Sequence, residues 1–212
     1  MDSYRALVDD LVEQNVLKTK RIIDAFCAIN REAFLPSSLE GQAGIDAPLP
    51  IGHKQTISQP YTVAFMLELL SPEPGQKIMD VGYGSGWTSA LLAHIIGIKG
   101  KVYSIEIIPD LCVIGNENIA KFNFIKKGIV KTFCQDGSKG LPEYAPFSRI
   151  LAGASAEKLP HEWIDQLADE GKLVAPIGQS IWCFRKKGRE VRKSEYPGFL
   201  FVPLTHELRH SS

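Results

Sequence analysis

Lys77-Ile78-Met79-Asp80-Val81-Gly82-Tyr83-Gly84-Ser85-Gly86-Trp87 is the stretch on which the reading of this chain turns. Ile78, Met79 and Val81 are apolar and read as a short strand around Asp80. Three glycines alternate with Tyr83 and Ser85, and residues 87–96 then read as an apolar helix. Strand, glycine turn and helix in that order open a parallel sheet, whose ligand crevice lies at the carboxyl ends of its strands. Glycines let the main chain turn sharply and approach a ligand closely. The helix start beyond offers unpaired N–H groups to an anion. A glycine triplet alone is equally well read as a tight structural turn.

The same grammar continues outward. Residues 102–105, 129–133, 148–151 and 173–175 read as strands, with helices over 109–122 and 161–167 between them. Residues 180–184, 190–192 and 199–202 read as strands around a Lys187-Gly188 turn and predict an antiparallel edge. Upstream, residues 1 to about 40 read helical, with Leu7, Val8, Leu11 and Val12, then Ile22, Ile23, Phe26 and Ile29, at helical spacing. Residues 41–52 read as loop, and Pro60 opens a helix over 61–70. The expectation is an α/β fold with a doubly wound, mostly parallel sheet, an N-terminal helical extension and an antiparallel C-terminal edge.

A chain of 212 residues suits one domain. Residues 1–60 are read as helices and a loop belonging to the same domain as the core, 61–212. With 24 basic and 24 acidic residues, no whole-chain charge argues for nucleic acid or a membrane surface as partner. Cys27, Cys112, Cys134 and Cys183 form no C-x-x-C pair and read as single cysteines in a reducing compartment. Residues 1–5 lead into no apolar signal segment. The apolar stretch 90–98, interrupted by His94 and Gly97, falls short of the ~20 residues of a membrane span. A cytoplasmic location, no membrane partner and a monomer are the expectations.

The glycine loop departs from two common phosphate-binding patterns. Trp87 stands where a dinucleotide fingerprint wants a third Gly or Ala, and no Lys-Ser or Lys-Thr follows as in a P-loop. Three acids end successive strands: Asp80, Glu106, and Asp136 followed by Gly137. Each alone reads as a solvated strand end. Together they suit a ligand with an ammonium group for Asp80, a ribose diol for Glu106 and an adenine amine for Asp136. That set describes S-adenosylmethionine, held at Asp80, Gly82, Gly84, Gly86, Glu106, Asp136 and Gly137, better than a dinucleotide.

Residues 49–52 (Leu-Pro-Ile-Gly) and 55–63 (Gln-Thr-Ile-Ser-Gln-Pro-Tyr-Thr-Val) resemble the signature loop of the protein-L-isoaspartate O-methyltransferases. Ala145-Pro146-Phe147, Pro160, Gln166-Leu167, Gly171-Lys172-Leu173, Pro176-Ile177-Gly178 and Phe201-Val202-Pro203-Leu204 follow in the family's order. The resemblance implies a Rossmann-like, seven-stranded S-adenosylmethionine-dependent methyltransferase. Its substrate would be the free carboxylate of L-isoaspartyl residues in damaged proteins and peptides, repaired through a succinimide. It implies a reaction centre at Ser58, with Thr56, Ser58 and Val202 binding the substrate, and no metal. His53, Lys54 and Tyr83 depart from the family pattern, Lys54 near the peptide site and Tyr83 where it could crowd the cofactor. The alternatives are a weak or silent fold relative acting as a binding module, or a methyltransferase for another peptide carboxylate.

Two further signals compete. His206-Glu207-Leu208-Arg209-His210 fits the H-E-x-x-H zinc pattern but reads as a terminal helix without a third ligand. The basic run Arg185-Lys186-Lys187-Gly188-Arg189 reads as a solvated hairpin face.

Overall fold

Residues 3–204 are described by the computed structural model. Helices α1 (Ser3–Glu13) and α2 (Lys20–Ala28) precede a hairpin of β1 (Leu49–Gly52) and β2 (Gln55–Ile57), followed by α3 (Pro60–Leu70). Then come β3 (Lys77–Val81), α4 (Trp87–Ile96), β4 (Lys101–Glu106), α5 (Pro109–Ala120), β5 (Val130–Cys134), β6 (Phe147–Ala152) and α6 (His161–Asp165). The last strands are β7 (Leu167–Ile177), β8 (Ser180–Lys187) and β9 (Glu190–Pro197).

Seven strands form one sheet in the order β5-β4-β3-β6-β7-β8-β9. β3 to β7 run parallel, and β8 and β9 are antiparallel. The chain winds outward from β3 to β5 and returns to the other side of β3, so the order reverses at β3. That reversal opens a crevice at its carboxyl end. Side chains alternate across each strand. Ile78, Leu151 and Val174 pack into one buried cluster with α1 to α4, while Met79, Ile150, Leu173 and Ala175 pack into a second on the opposite face. Burial on both faces explains why the central strands read as continuous apolar runs. The N-terminal helices add Tyr4, Val8, Leu11 and Phe26 to the first cluster.

The structure corrects four expectations. Part of the 41–52 loop is strand β1, paired with β2 in the register Leu49↔Ile57 and Pro50↔Thr56. Its turn places His53 (φ 51°) and Lys54 (φ 58°) in the left-handed region. That geometry usually recruits Asn or Gly, so the sequence carries no hairpin signal there. Strand β7 runs 11 residues and starts straight after α6, with a register irregularity opposite Phe147 and Arg149. Residues 199–202 form no strand. An isolated bridge joins Ser155 to Pro203, with Ser155 N–H donating to Val202 O and Leu204 N–H to Ser155 O.

The fourth correction concerns the cysteines. Cys112 in α5 and Cys134 at the end of β5 form a disulfide, their Cα atoms 5.7 Å apart. A helix residue and a strand residue 22 positions apart meet only once α5 packs on the sheet, so sequence spacing is silent about them. Cys27 and Cys183 are free thiols. In the chain-entropy account, closing a loop of this length contributes about 3 kcal/mol. Calorimetry of the wild type with and without a dithiol reductant, beside C112S/C134S, checks this. The melting temperature of the wild type should fall by about 6–12 °C on reduction. The double variant should melt like the reduced protein and ignore the reductant.

Candidate active site

The glycine loop leaves β3 with Gly82, Gly84 and Gly86 at φ of 77°, 50° and 93°. Only residues without a Cβ hold such angles in succession without strain. Main-chain bonds pin it: Gly82 and Tyr83 N–H donate to Ile105 O, and Gly86 N–H to Tyr83 O. Helix α5 closes its other side. Asn118 donates to Ser85 O at 3.0 Å, and the Tyr83 hydroxyl donates to Cys112 O at 3.0 Å. Burial raises the Tyr83 phenol and keeps its proton in place. The ring therefore lies against α5, while Tyr83 also lines the cleft. Its seat depends on Gly115, where an added Cβ would stand 2.4 Å from Gly84 O and 2.6 Å from the Tyr83 ring. A glycine in the middle of a helix was the available signal, and the sequence reading passed over it.

Of the three strand-end acids, Glu106 lines the cleft. It is buried, and its carboxylate accepts from the N–H groups of Gly84 (2.9 Å), Ile107 (2.8 Å) and Ile108 (3.0 Å). A carboxylate has about four acceptor positions, so capacity for a ligand hydroxyl remains. Asp80 lies behind the loop. Alternation along β3 turns it to the α4 face, where Ser89 Oγ donates to Oδ2 at 2.6 Å and in turn meets Ser104 Oγ at 2.8 Å. It does not line the cleft, so the geometry does not place it against a ligand's ammonium. Asp136 accepts from Ser138 N and Oγ, while its neighbours Gln135 and Gly137 line the cleft. Gly137 allows the chain close to β3, since a Cβ there would meet Val81 at 2.5 Å.

The opposite wall is the β1–β2 hairpin and the segment after it. Ile51, Thr56 and Ser58 line a cleft together with the glycine loop, as do Val202 and Leu204. A Cβ on Gly84 would come within 3.3 Å of Ile51 Cδ1, so the hairpin rests directly on the loop. The hydroxyls of Thr56 and Ser58 have no hydrogen-bond partner among the described residues and border the cleft. At the hairpin tip His53 Nε2 lies 3.2 Å from Asp110 Oδ2 at the start of α5, and Lys54 is exposed, outside the cleft lining. Sequence reasoning missed Gln135 and Thr88, both on the cleft wall. Neither carries a motif beyond its place beside a strand end or a helix start.

No group of three His, Cys, Asp or Glu side chains among the described residues is placed to hold a metal. The His206 to His210 pattern lies outside the described residues. The basic run sits on β8 and the following turn, where Lys186 donates to Ile164 O and Leu167 O and Lys187 pairs with Glu170. No helix among the described residues is long and apolar enough to cross a membrane.

Burial raises the Asp80 carboxyl from 3.8 to about 7, against the lowering effect of the Ser89 bond, with Glu106 adding to the rise. Between those values the folded chain holds a proton that the unfolded chain has released. Stability is therefore lost as pH rises through this window, by at most about 4 kcal/mol. Asp80→Asn keeps an acceptor for Ser89 and removes the charge. Thermal melts of the ligand-free variant should lie above wild type near pH 8, and the gap should close as pH falls toward 4. A gap independent of pH would show that Asp80 does not titrate in this range.

Comparison with known proteins follows the same lines. Residues 2–209 match the family described as protein-L-isoaspartate(D-aspartate) O-methyltransferase (PCMT). The chain is 42% identical over 216 residues to the protein-L-isoaspartate O-methyltransferase of Aeropyrum pernix, covering 97% of this chain and 82% of that one. It is 42% identical over 202 residues to the enzyme of that name from Pyrobaculum islandicum, covering 93% and 97%. A Plasmodium falciparum structure described as a protein-L-isoaspartate O-methyltransferase with S-adenosyl-L-homocysteine superposes with a TM-score of 0.87. It covers 96% of this chain and 99% of that one, and at 24% identity it speaks for the fold alone. A family match over nearly the whole length, with relatives at this identity, decides the assignment: the chain belongs to the protein-L-isoaspartate(D-aspartate) O-methyltransferase family.

Proposed function

We propose that this chain transfers a methyl group from S-adenosylmethionine to the free carboxylate of L-isoaspartyl residues in damaged proteins and peptides. The methyl ester so formed collapses to a succinimide that reopens in part to normal aspartate. One observation carries the reading: Thr56 and Ser58, whose hydroxyls have no hydrogen-bond partner among the described residues, line one cleft with a glycine loop and a hydrogen-bonded acid.

The residues present fit the cofactor. Gly82, Gly84 and Gly86 leave the loop without side chains, Gly137 brings the end of β5 close to β3, and Glu106 keeps acceptor capacity for a ribose hydroxyl. Asp80 and Asp136 support this site from behind, through Ser89 and through the turn at Ser138. When bound, S-adenosylmethionine supplies a sulfonium methyl for transfer to a carboxylate oxygen, its sulfur leaving as a neutral thioether. A carboxylate is ionised at neutral pH, with an ordinary pKa near 4, so no general base is needed. The chain's task is alignment, which supplies up to about 7–11 kcal/mol of a barrier. Ser58 Oγ holds one carboxylate oxygen, Thr56 binds beside it, and Val202 borders the peptide. Val202 O is already taken by Ser155 N–H, which fixes that segment's orientation. Balanced charge leaves no whole-chain attraction for nucleic acid, and a chain acting as a monomer completes the proposal.

Labelled methyl transfer to an isoaspartyl peptide and to its aspartyl twin tests the reading directly. Transfer to the first alone is expected, and transfer to both or neither rejects it. Ser58→Ala should lower turnover by on the order of 10²-fold and leave affinity for S-adenosylhomocysteine nearly unchanged. Wild-type turnover would remove Ser58 from the mechanism. Glu106→Ala should weaken S-adenosylhomocysteine by roughly 10- to 150-fold in titration calorimetry, through the lost ribose contact and the released loop. Unchanged affinity would reject that assignment.

A further inference from the structure

Arg31 is fully buried, yet it forms no ion pair among the described residues. Its guanidinium donates to four main-chain carbonyls instead. Nη1 reaches Ile45 O at 2.9 Å, and Nη2 reaches Ala47 O at 2.8 Å, Ser58 O at 3.0 Å and Ile57 O at 3.4 Å. Its central carbon lies 5.6 Å from the centre of the Trp87 ring, and Nε is buried without a hydrogen-bond partner among the described residues. Burial lowers its pKa to about 10, so it stays charged at neutral pH. A buried cation whose hydrogen bonds go only to carbonyls is expensive even with Asp46 and Tyr4 near enough to favour its charge, and apolar residues of similar volume are often no worse for stability. A flat fork with fixed donor directions does what an apolar side chain would not: it sets the spacing of the strands of chain around it.

The two segments it joins are the loop at 45–47 and the end of the hairpin at 57–58. Asp46 adds a second tie between them, accepting from Gln59 Nε2 and Tyr61 N–H. Trp87, beneath the guanidinium, lines the cleft and begins α4 directly after the glycine loop. Arg31 thus touches the main chain of Ser58 on one side and the residue after the glycine loop on the other.

We propose that Arg31 is a positioning residue for methyl transfer: by clamping the carbonyls of Ile57 and Ser58 above Trp87, it fixes the distance between the Ser58 hydroxyl and the cofactor side of the cleft. The inference rests on the reading of Ser58 as the group that orients the substrate carboxylate.

The test compares Arg31→Lys, which keeps the charge and loses the fork, with Arg31→Gln, a neutral planar amide with two donors. Whichever folds suffices. Peptide kcat and KM, S-adenosylhomocysteine affinity and melting temperature are measured for each, with Ser58→Ala and the double variant alongside. Misplacement by about 1 Å costs up to about 10²-fold, so kcat should fall by about 10- to 100-fold while S-adenosylhomocysteine affinity stays within about 3-fold. The double variant should be no slower than Ser58→Ala within about 2-fold, because Arg31 acts through Ser58. Leu11→Ala, a core substitution in α1, should lower the melting temperature and leave kcat at the wild-type value below its transition. Wild-type kcat in a folded Arg31 variant, with Ser58→Ala slow, overturns the inference alone. Losses that multiply in the double variant also overturn it. Wild-type kcat in Ser58→Ala overturns the reading of Ser58, and the inference with it.

Discussion

The carboxylate of Glu106 accepts three main-chain N–H groups, one from the glycine loop and two from the turn into α5. Everything around the cleft depends on that convergence. Hydrogen bonds to a charged acceptor are among the stronger ones available, and in a buried place they lose little to solvent. One side chain at the end of β4 therefore fixes both the loop after β3 and the start of the next helix. From the loop follow the close approach of α5, the need for Gly115 and the inward turn of the Tyr83 ring. The disulfide at Cys112 belongs to the same neighbourhood, since Cys134 pairs in register with Glu106 and Cys112 O accepts from Tyr83.

The second wall is built by a different device. The hairpin at 49–57 is small, and a lone two-stranded hairpin is marginal in water. It is held instead from below by Arg31 at Ile57, with Asp46 tying down Gln59 and Tyr61 just after it, and rests above on Gly84 through Ile51. Two walls, one held by the buried Glu106 and one by the buried Arg31, meet at Trp87 and the glycine loop. Such an arrangement suits a reaction whose demand is alignment more than proton transfer.

Some parts were legible because they are local. The central strands announce themselves as apolar runs, since they are buried on both faces, and α4 begins at Trp87 as its pattern indicates. The antiparallel edge follows from the Lys187-Gly188 turn, where Gly188 has φ 57°. Other parts were not legible. Asp80 and Glu106 look alike in sequence, each an acid in the last two residues of a strand. One residue of difference sends Asp80 to the helix face and Glu106 to the cleft. The His53-Lys54 turn carries neither of its usual residues, and Arg31 stands in a helical stretch without any motif to mark it.

The sequence by itself determined the order of strands and helices from β3 to β9, the place of the glycine loop at the end of β3, and the kinship carried by residues 49–63. Each is written in periodicity or in contiguous residues, which neighbours along the chain suffice to specify. Only the tertiary structure decided which acid faces the cleft, which cysteines pair, where the Tyr83 ring goes and what holds the main chain of Ser58. The last three depend on contacts between residues 22 to 32 positions apart, among them Cys112 with Cys134, Tyr83 with Gly115 and Arg31 with Ser58. Such contacts exist only after the helices have packed on the sheet.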